Sequence, residues 1–345
     1  MRVNGGKIDR RAPDEVDGEL CTGTANVEGL NYNTGNCLAE LSAFMCFQRA
    51  SVGDKRVYTL RRRSAKKRIP AYAAMPPKKG YRTMSRRRSD AQPLMITLDA
   101  RPQPIALNLD KTAVLVVDMQ NDFGVEGGLF HRAGIDLSGI RAVIAPTARV
   151  LASARAAGVP IIYIKAGIRA DRSDIGEPGS PNRDRWLAYG VGQYVKTPDG
   201  RDGRILIRDT WNTDIVPELE PEPGDFVVYK HRYSAFHDTE LDAVLKQLGA
   251  NYLIVTGCTT SVCVESTIRD AYSWDYSCIL LEDCTAEPIG QGAKGYRGVP
   301  DAASTTSGGT NYEATLVLVQ TVFGWVSNSE SVANGFTAKA VTTQR

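Results

Sequence analysis

Beyond residue 95 the chain alternates short apolar runs with amphipathic stretches. Residues 113–117, 159–165, 226–229, 252–256 and 278–282 are β-branched or otherwise apolar with few polar interruptions. Such runs read as strands buried on both faces of a parallel sheet. Between them the apolar period lengthens to that of a helix. Residues 137–157 place Ile140, Val143, Ile144 and Leu151 on one face, with Pro146 set to kink or restart the helix and Gly158 to cap it. Residues 239–248 turn Leu241, Val244, Leu245 and Leu248 inward, and residues 262–272 form a third helical stretch. Residues 315–322 read as a late helix or strand, with Phe323-Gly-Trp325 following a short final strand. Strands alternating with helices predict a doubly wound α/β fold, a mostly parallel sheet with helices on both faces.

Two stretches resist this reading. Residues 167–204 are rich in Gly, Pro and charge, and a loop of that length predicts a lid that selects the substrate. Residues 287–310, with six glycines, form a second segment expected to be mobile. Residues 1–94 show no sustained period. Charge separates them from the rest: residues 55–88 hold fourteen Lys or Arg and no acid, whereas residues 89–345 hold 23 basic and 31 acidic residues. The patterned region, 95–345, is therefore acidic, and 1–94 is expected to be a disordered basic leader. It reads as sequence ahead of a folded-domain start at Met95 or Met84, with a nucleic-acid-binding tail and a targeting segment as the competing readings. Acids at Asp9, Asp14, Glu15, Asp17 and Glu19 argue against a transit peptide. No run approaches the length of a membrane-spanning helix. Seven cysteines, an odd number without paired metal spacing, point to reduced thiols in a cytoplasmic enzyme.

Chemistry gathers at strand ends. The run 112–117 ends on Asp118, the run 226–229 on Lys230, and the run 252–256 leads through Gly257 to Cys263 at a strand-to-helix turn. In an open parallel sheet ligands bind outside the carboxyl ends of the strands, so one cleft can hold all three. A helix N-terminus also favours a thiolate and lowers its pKa. Each residue alone has a plainer reading, a solvated loop charge or a buried apolar cysteine. An acid, an amine and a thiol together form a set for nucleophilic catalysis.

Three motifs carry a resemblance. Asp118-Met-Gln-Asn-Asp-Phe123, Lys230-His-Arg-Tyr-Ser-Ala-Phe236 and Gly257-Cys-Thr-Thr-Ser-Val-Cys263-Val264 resemble, in order and spacing, the signatures of the isochorismatase-like cysteine hydrolases. The resemblance covers residues 100–335 and implies an isochorismatase-like, Rossmann-like three-layer fold. It also implies a catalytic triad of Asp118, Lys230 and Cys263, and an oxyanion hole from the backbone N–H groups of Thr259 and Cys263 beside a cis Cys258–Thr259 peptide. Asp118 would take the thiol proton, Lys230 would hold the charges, and the thiolate would attack a carbonyl to give a thioester that water cleaves. No metal or organic cofactor is implied. Nicotinamidases of this family carry histidine ligands after the second strand, where this chain reads Gly167-Ile-Arg-Ala-Asp-Arg-Ser-Asp174. His131, His231 and His237 are scattered in sequence and read as surface or loop residues. The isochorismate-cleaving branch lacks the cysteine.

Within the cysteine branch, Lys230-His-Arg-Tyr-Ser-Ala-Phe236, Cys263-Val-Glu-Ser-Thr267, Phe323-Gly-Trp-Val-Ser327 and Gly-Ser-Pro-Asn182 resemble ureidoacrylate amidohydrolases, whereas Ile168-Arg-Ala-Asp171, Asn182-Arg-Asp-Arg-Trp186 and Gly203-Arg-Ile-Leu206 resemble biuret hydrolases. The former would have Asn and Trp where this chain has Ala166 and Ile168. Both types act on ureido or N-carbamoyl compounds, so the expected partner is a small molecule of that class, with N-carbamoylsarcosine as a further possibility. Arg169, Asn182, Trp186 and Tyr233 are the candidate substrate contacts, and Arg172 and Arg185 further candidates for a carboxylate. The resemblance also implies a homo-oligomer, dimer or tetramer, with Phe323, Trp325 and Val326 as an apolar cluster for an interface or the core. Neither a membrane nor nucleic acid is expected as a partner. The reading from another class is a non-catalytic binding protein with a basic tail for nucleic acid.

Overall fold

The structure, a computed structural model, describes residues 93–289 and 311–343, the side chains to residue 338, and an antiparallel strand pair, Ala50–Val52 with Lys55–Val57. That pair falls in the stretch expected to be disordered; the remainder of that stretch to residue 92, and most of the second segment expected to be mobile, lie outside the described residues. Contacts divide the chain into two units, Met1–Pro76 and Pro77–Arg345.

The second unit is built on six parallel strands: β1 (Thr112–Val117), β2 (Ile161–Ala166), β3 (Phe226–Lys230), β4 (Tyr252–Cys258), β5 (Ser277–Ala286) and β6 (Gly324–Ser327). Their order across the sheet is β3-β2-β1-β4-β5-β6. Helices fill the connections: α1 (Ile144–Ala157), α2 (Pro181–Ala188), α3 (Leu241–Leu248), α4 (Glu265–Ser273), α5 (Asn311–Leu318) and α6 (Ser329–Thr343). Strand side chains alternate between faces. Val114, Val116, Ile161, Tyr163, Ile254 and Ile279 meet Val150 and Leu151 of α1 and Val332 and Phe336 of α6 in one core. Ala113, Leu115, Val117, Ile162, Ile164, Leu253 and Val255 meet Leu241 and Leu245 of α3, Ile268 of α4 and Leu316 of α5 in the other. Each fully buried aliphatic side chain stabilises the fold by about 1.5–3 kcal/mol, which is why β1, buried at all six positions, reads so clearly in the sequence. The result is the three-layer α/β fold that the alternation predicted.

Differences from expectation have local causes. The first long helical stretch is broken at Val143 into Ser138–Ala142 and α1, with Pro146 in the first turn of α1, where its missing N–H costs nothing. Gly158 ends α1 at φ 72°, as expected. The expected lid is structured: it holds α2 and a hairpin, Tyr194–Lys196 with Asp202–Arg204. The late stretch is helical, and the final strand starts at Gly324 rather than ending before Phe323. Helix α6 and an antiparallel hairpin, Met95–Leu98 with Ile105–Asn108, were not read from the sequence. Val326 is core, 1% exposed, and Phe323 packs edge-on to Tyr272, 5.5 Å between centroids. Among the described residues no helix is long and apolar enough to cross a membrane.

Candidate active site

The chain leaves β1 for β2 and β3 on one side, then returns to β4 on the other. This reversal opens a crevice beyond the carboxyl ends of β1 and β4. The two strands run unusually close there. Gly257 sits at φ 114°, and a Cβ on it would collide with the Val117 carbonyl oxygen, so only glycine allows the approach.

Asp118 follows β1 directly, at φ 54°, a backbone region that Asp tolerates better than most residues. Its Oδ1 accepts a 2.9 Å hydrogen bond from the Ala166 N–H at the end of β2, and Gln120 Oε1 accepts from the same N–H at 2.7 Å. Gln120 Nε2 returns a bond to the Ala166 carbonyl at 2.9 Å. Thus the Asp and Gln of the first motif clamp one peptide, and Phe123, the motif's last residue, packs edge-on to Phe130 at 4.9 Å. Lys230, the last residue of β3, reaches across the end of β2. Its Nζ lies 2.8 Å from Asp118 Oδ2 and 3.2 Å from Cys263 Sγ. The Asp118 carboxylate thus meets the Lys230 ammonium, and the Cys263 thiol also hydrogen-bonds to it.

The lysine and aspartate side chains are 0% and 1% exposed, so desolvation governs the site. Burial raises the Asp118 pKa, against the opposing pull of Lys230. For Lys230 burial pulls downward, but Asp118 and Cys263 outweigh it and its pKa is raised. Cys263 is pushed up to about 12, by burial first, with Lys230 opposing and Asp118 adding to the rise. This corrects the expectation of a low-pKa thiolate. Cys263 lies in a π-helical turn, Thr260–Val264, that leads into α4, and the helix-end effect of about 1 kcal/mol or less does not overcome burial. The resting site is therefore a carboxylate–ammonium pair beside a neutral thiol. The difference spectrum between the parent and Cys263→Ser should show no thiolate absorbance over roughly pH 6 to 9; a thiolate band at neutral pH would contradict this charge state. Cys258, Cys278 and Cys284 are buried and Cys263 alone of the described thiols is partly exposed, so it should be alkylated first.

Asp118 and Cys263 open onto a cavity of about 270 Å³ lined also by Phe123, Phe130, Trp186, Tyr189, Tyr233 and Thr259, with Arg185 on its wall. The Cys258–Thr259 peptide is cis. The sequence candidates divide here. Trp186 and Tyr233 line the cavity, their rings 6.0 Å apart. Arg169 does not; its side chain is 62% exposed and stands 3.8 Å from Asp174. Asn182 and Arg172 are exposed and also lie off the cavity. Ala166 lines it, whereas Ile168 is core. Leu129, Tyr189, Leu206, Val262 and Ile289 are wall residues that local sequence did not reveal. Tyr189, four residues after Arg185 on the same helical face, had a signal in that spacing. His231 is buried rather than on the surface, 6.3 Å from the His237 ring, with its pKa lowered by burial and then by Arg232.

Two wall segments hang on one carboxylate. Asp122, fully buried, accepts from Leu129 N–H at 3.0 Å and Asn212 Nδ2 at 2.6 Å on Oδ1, and from Leu206 N–H at 2.7 Å on Oδ2. Burial lifts its pKa to about 6 against these bonds. The folded protein therefore binds this proton more tightly than the unfolded chain. The resulting stabilisation is complete below the ordinary aspartate pKa and is lost as pH rises through about 6, a span of about 3 kcal/mol. Asp122→Asn should remove that pH dependence and cost about 1–3 kcal/mol by facing a donor toward the Leu206 N–H. Unfolding free energies of both proteins from about pH 4 to 8 measure it; parallel curves would contradict the assignment.

Comparison with known proteins identifies the family. A model of the isochorismatase domain matches residues 112–294. The chain is 40% identical over 232 residues to ureidoacrylate amidohydrolase RutB of Agrobacterium fabrum, covering 67% of this chain and 92% of that protein. It is 41% identical over 235 residues to the enzyme of the same name from Rhizobium rhizogenes, covering 67% and 86%. A crystal structure of a cysteine hydrolase from Pseudomonas syringae pv. phaseolicola superposes with a TM-score of 0.54 at 31% identity, covering 68% of this chain and 95% of that one. On the domain match and these relatives, and with a sheet order of the same α/β class, the chain belongs to the isochorismatase family and is a hydrolase.

Proposed function

We propose that the chain is a cysteine amidohydrolase that cleaves the C–N bond of a small ureido or N-carbamoyl compound, with ureidoacrylate as the first substrate. The observation that most supports this is Lys230 Nζ standing 2.8 Å from Asp118 and 3.2 Å from Cys263 beside the cavity. The relatives named for ureidoacrylate supply the substrate class.

In this mechanism the Cys263 thiol attacks the ureido carbonyl as its proton passes to Asp118 Oδ2. Lys230 keeps its proton and its charge; it steadies the sulfur as negative charge develops there. The carbonyl oxygen takes up charge toward the Thr259 and Cys263 N–H groups. Collapse breaks the C–N bond, and the protonated Asp118 gives its proton to the departing nitrogen. A carbamoyl thioester on Cys263 remains. Water, relieved of a proton by Asp118, attacks it and releases carbamate, which falls to ammonia and carbon dioxide, while the thiol recovers its proton. The proton transfers on the protein run between Asp118 and Cys263, with Lys230 in contact with both, and none needs a thiolate in the resting enzyme.

Ammonia release across ureidoacrylate, biuret, N-carbamoylsarcosine and nicotinamide tests the reading. Ureidoacrylate should have the highest kcat/KM, with biuret second. Turnover of nicotinamide alone would overturn it.

A further inference from the structure

The candidate catalytic groups carry no net charge: Asp118 and Lys230 cancel, and the Cys263 thiol is neutral at rest. Glu287 does not line the cavity and is tied to the Ser261 and Ile289 N–H groups at 2.6 and 3.0 Å, and Asp122 lies behind the wall, held by Leu129, Leu206 and Asn212. The cavity wall holds one further charged side chain, Arg185. Among the described residues Arg185 forms no ion pair, in contrast to Arg101, Arg141, Arg155, Arg169, Arg201, Arg208 and Arg269. Its guanidinium lies 6.0 Å from the Tyr189 ring, on the aromatic side formed by Trp186, Tyr189 and Tyr233. Trp186, buried beside it in α2, anchors that turn of helix in the wall. Arg185 is exposed to solvent on one side and lines the cavity on the other, a cation without an acid at the rim, so the site carries a net positive charge that an anionic ligand would complete.

We propose that Arg185 binds the carboxylate of a monoanionic ureido acid and thereby sets a preference for such acids over neutral ureas. This rests on the reaction assigned above and narrows its substrate class: a ureido group for Cys263, a planar or short linker against the aromatic wall, and a carboxylate for Arg185. Biuret, which is neutral, gains nothing from Arg185. A guanidinium also presents two parallel donors to a carboxylate, a geometry that lysine cannot reproduce.

The test compares ureidoacrylate with its neutral primary amide on the parent, Arg185→Gln and Arg185→Lys. Arg185→Gln should raise KM for the acid by about 10- to 100-fold and far less for the amide, with kcat changed little. Arg185→Lys should fall between, keeping the charge and losing the fork. An equal loss on acid and amide would make Arg185 merely structural, and an unchanged KM for the acid would remove it from the site; either overturns the proposal. Binding of the two compounds to Cys263→Ala by calorimetry separates this from the reaction itself. If the parent turns over neither compound, yet the acid binds Cys263→Ala about tenfold or more tighter than the amide and Arg185→Gln erases the difference, the reaction reading fails and the Arg185 role stands. If neither turnover nor selective binding is seen, both fail.

Discussion

Cys263→Ala should lower kcat/KM by about 10⁴-fold or more while changing stability by less than about 1 kcal/mol. The asymmetry follows from where the sulfur sits. Cys263 is partly exposed, so truncation leaves no sealed cavity. The Asp118–Lys230 pair keeps its 2.8 Å contact without the thiol. Losing the nucleophile, by contrast, removes the covalent path entirely, and a neighbouring thiol cannot replace it: Cys258 is buried, donates to the Asp118 carbonyl at 3.3 Å and has its pKa raised by burial. Ammonia release and urea unfolding of the same preparation measure both halves. Retained activity would remove Cys263 from the mechanism.

Asp118 and Lys230 should behave oppositely, as partners in stability as well as in activity. Both are essentially without solvent. Lys230→Met leaves a buried carboxylate without its cation, so Asp118 should be protonated at neutral pH and useless as a base. The cost should be about 3–5 kcal/mol of stability and about 10³-fold in kcat/KM. Asp118→Leu strands the ammonium and should cost about as much. The double variant, Asp118→Leu with Lys230→Met, replaces a buried ion pair by apolar groups and should regain most of the stability while remaining inactive. Additive losses of stability in the cycle would show that the two charges do not act as a pair.

The fold and the three candidate catalytic residues could be read from the chain because each is encoded locally. The strands are short β-branched runs, and Asp118, Lys230 and Cys263 stand where such runs end. What escaped was encoded at long range or in weak periods. Helix α2 is half Arg, Asp and Asn with Trp186 as its single buried residue, so its apolar period is invisible, although Ser180 and Pro181 are a sound helix start. Helix α6 is specified by Val332 and Phe336 among small and polar residues. Arg169 and Asn182 looked like substrate contacts because the lid was read without its internal structure; Asp174 and helix α2 place them elsewhere. The thiol's charge state was misjudged for a related reason: the turn suggested a thiolate, but burial, a tertiary property, sets the outcome.

The covalent step admits the most direct test. Saturating ureidoacrylate, quenched in acid within the first turnovers, should leave the peptide bearing Cys263 heavier by one carbamoyl group. The adduct should disappear once substrate is exhausted and should be absent from Cys263→Ala. A carbamoyl group on another side chain, or an unmodified Cys263 peptide at every time point during rapid turnover, would contradict a thioester mechanism at this residue.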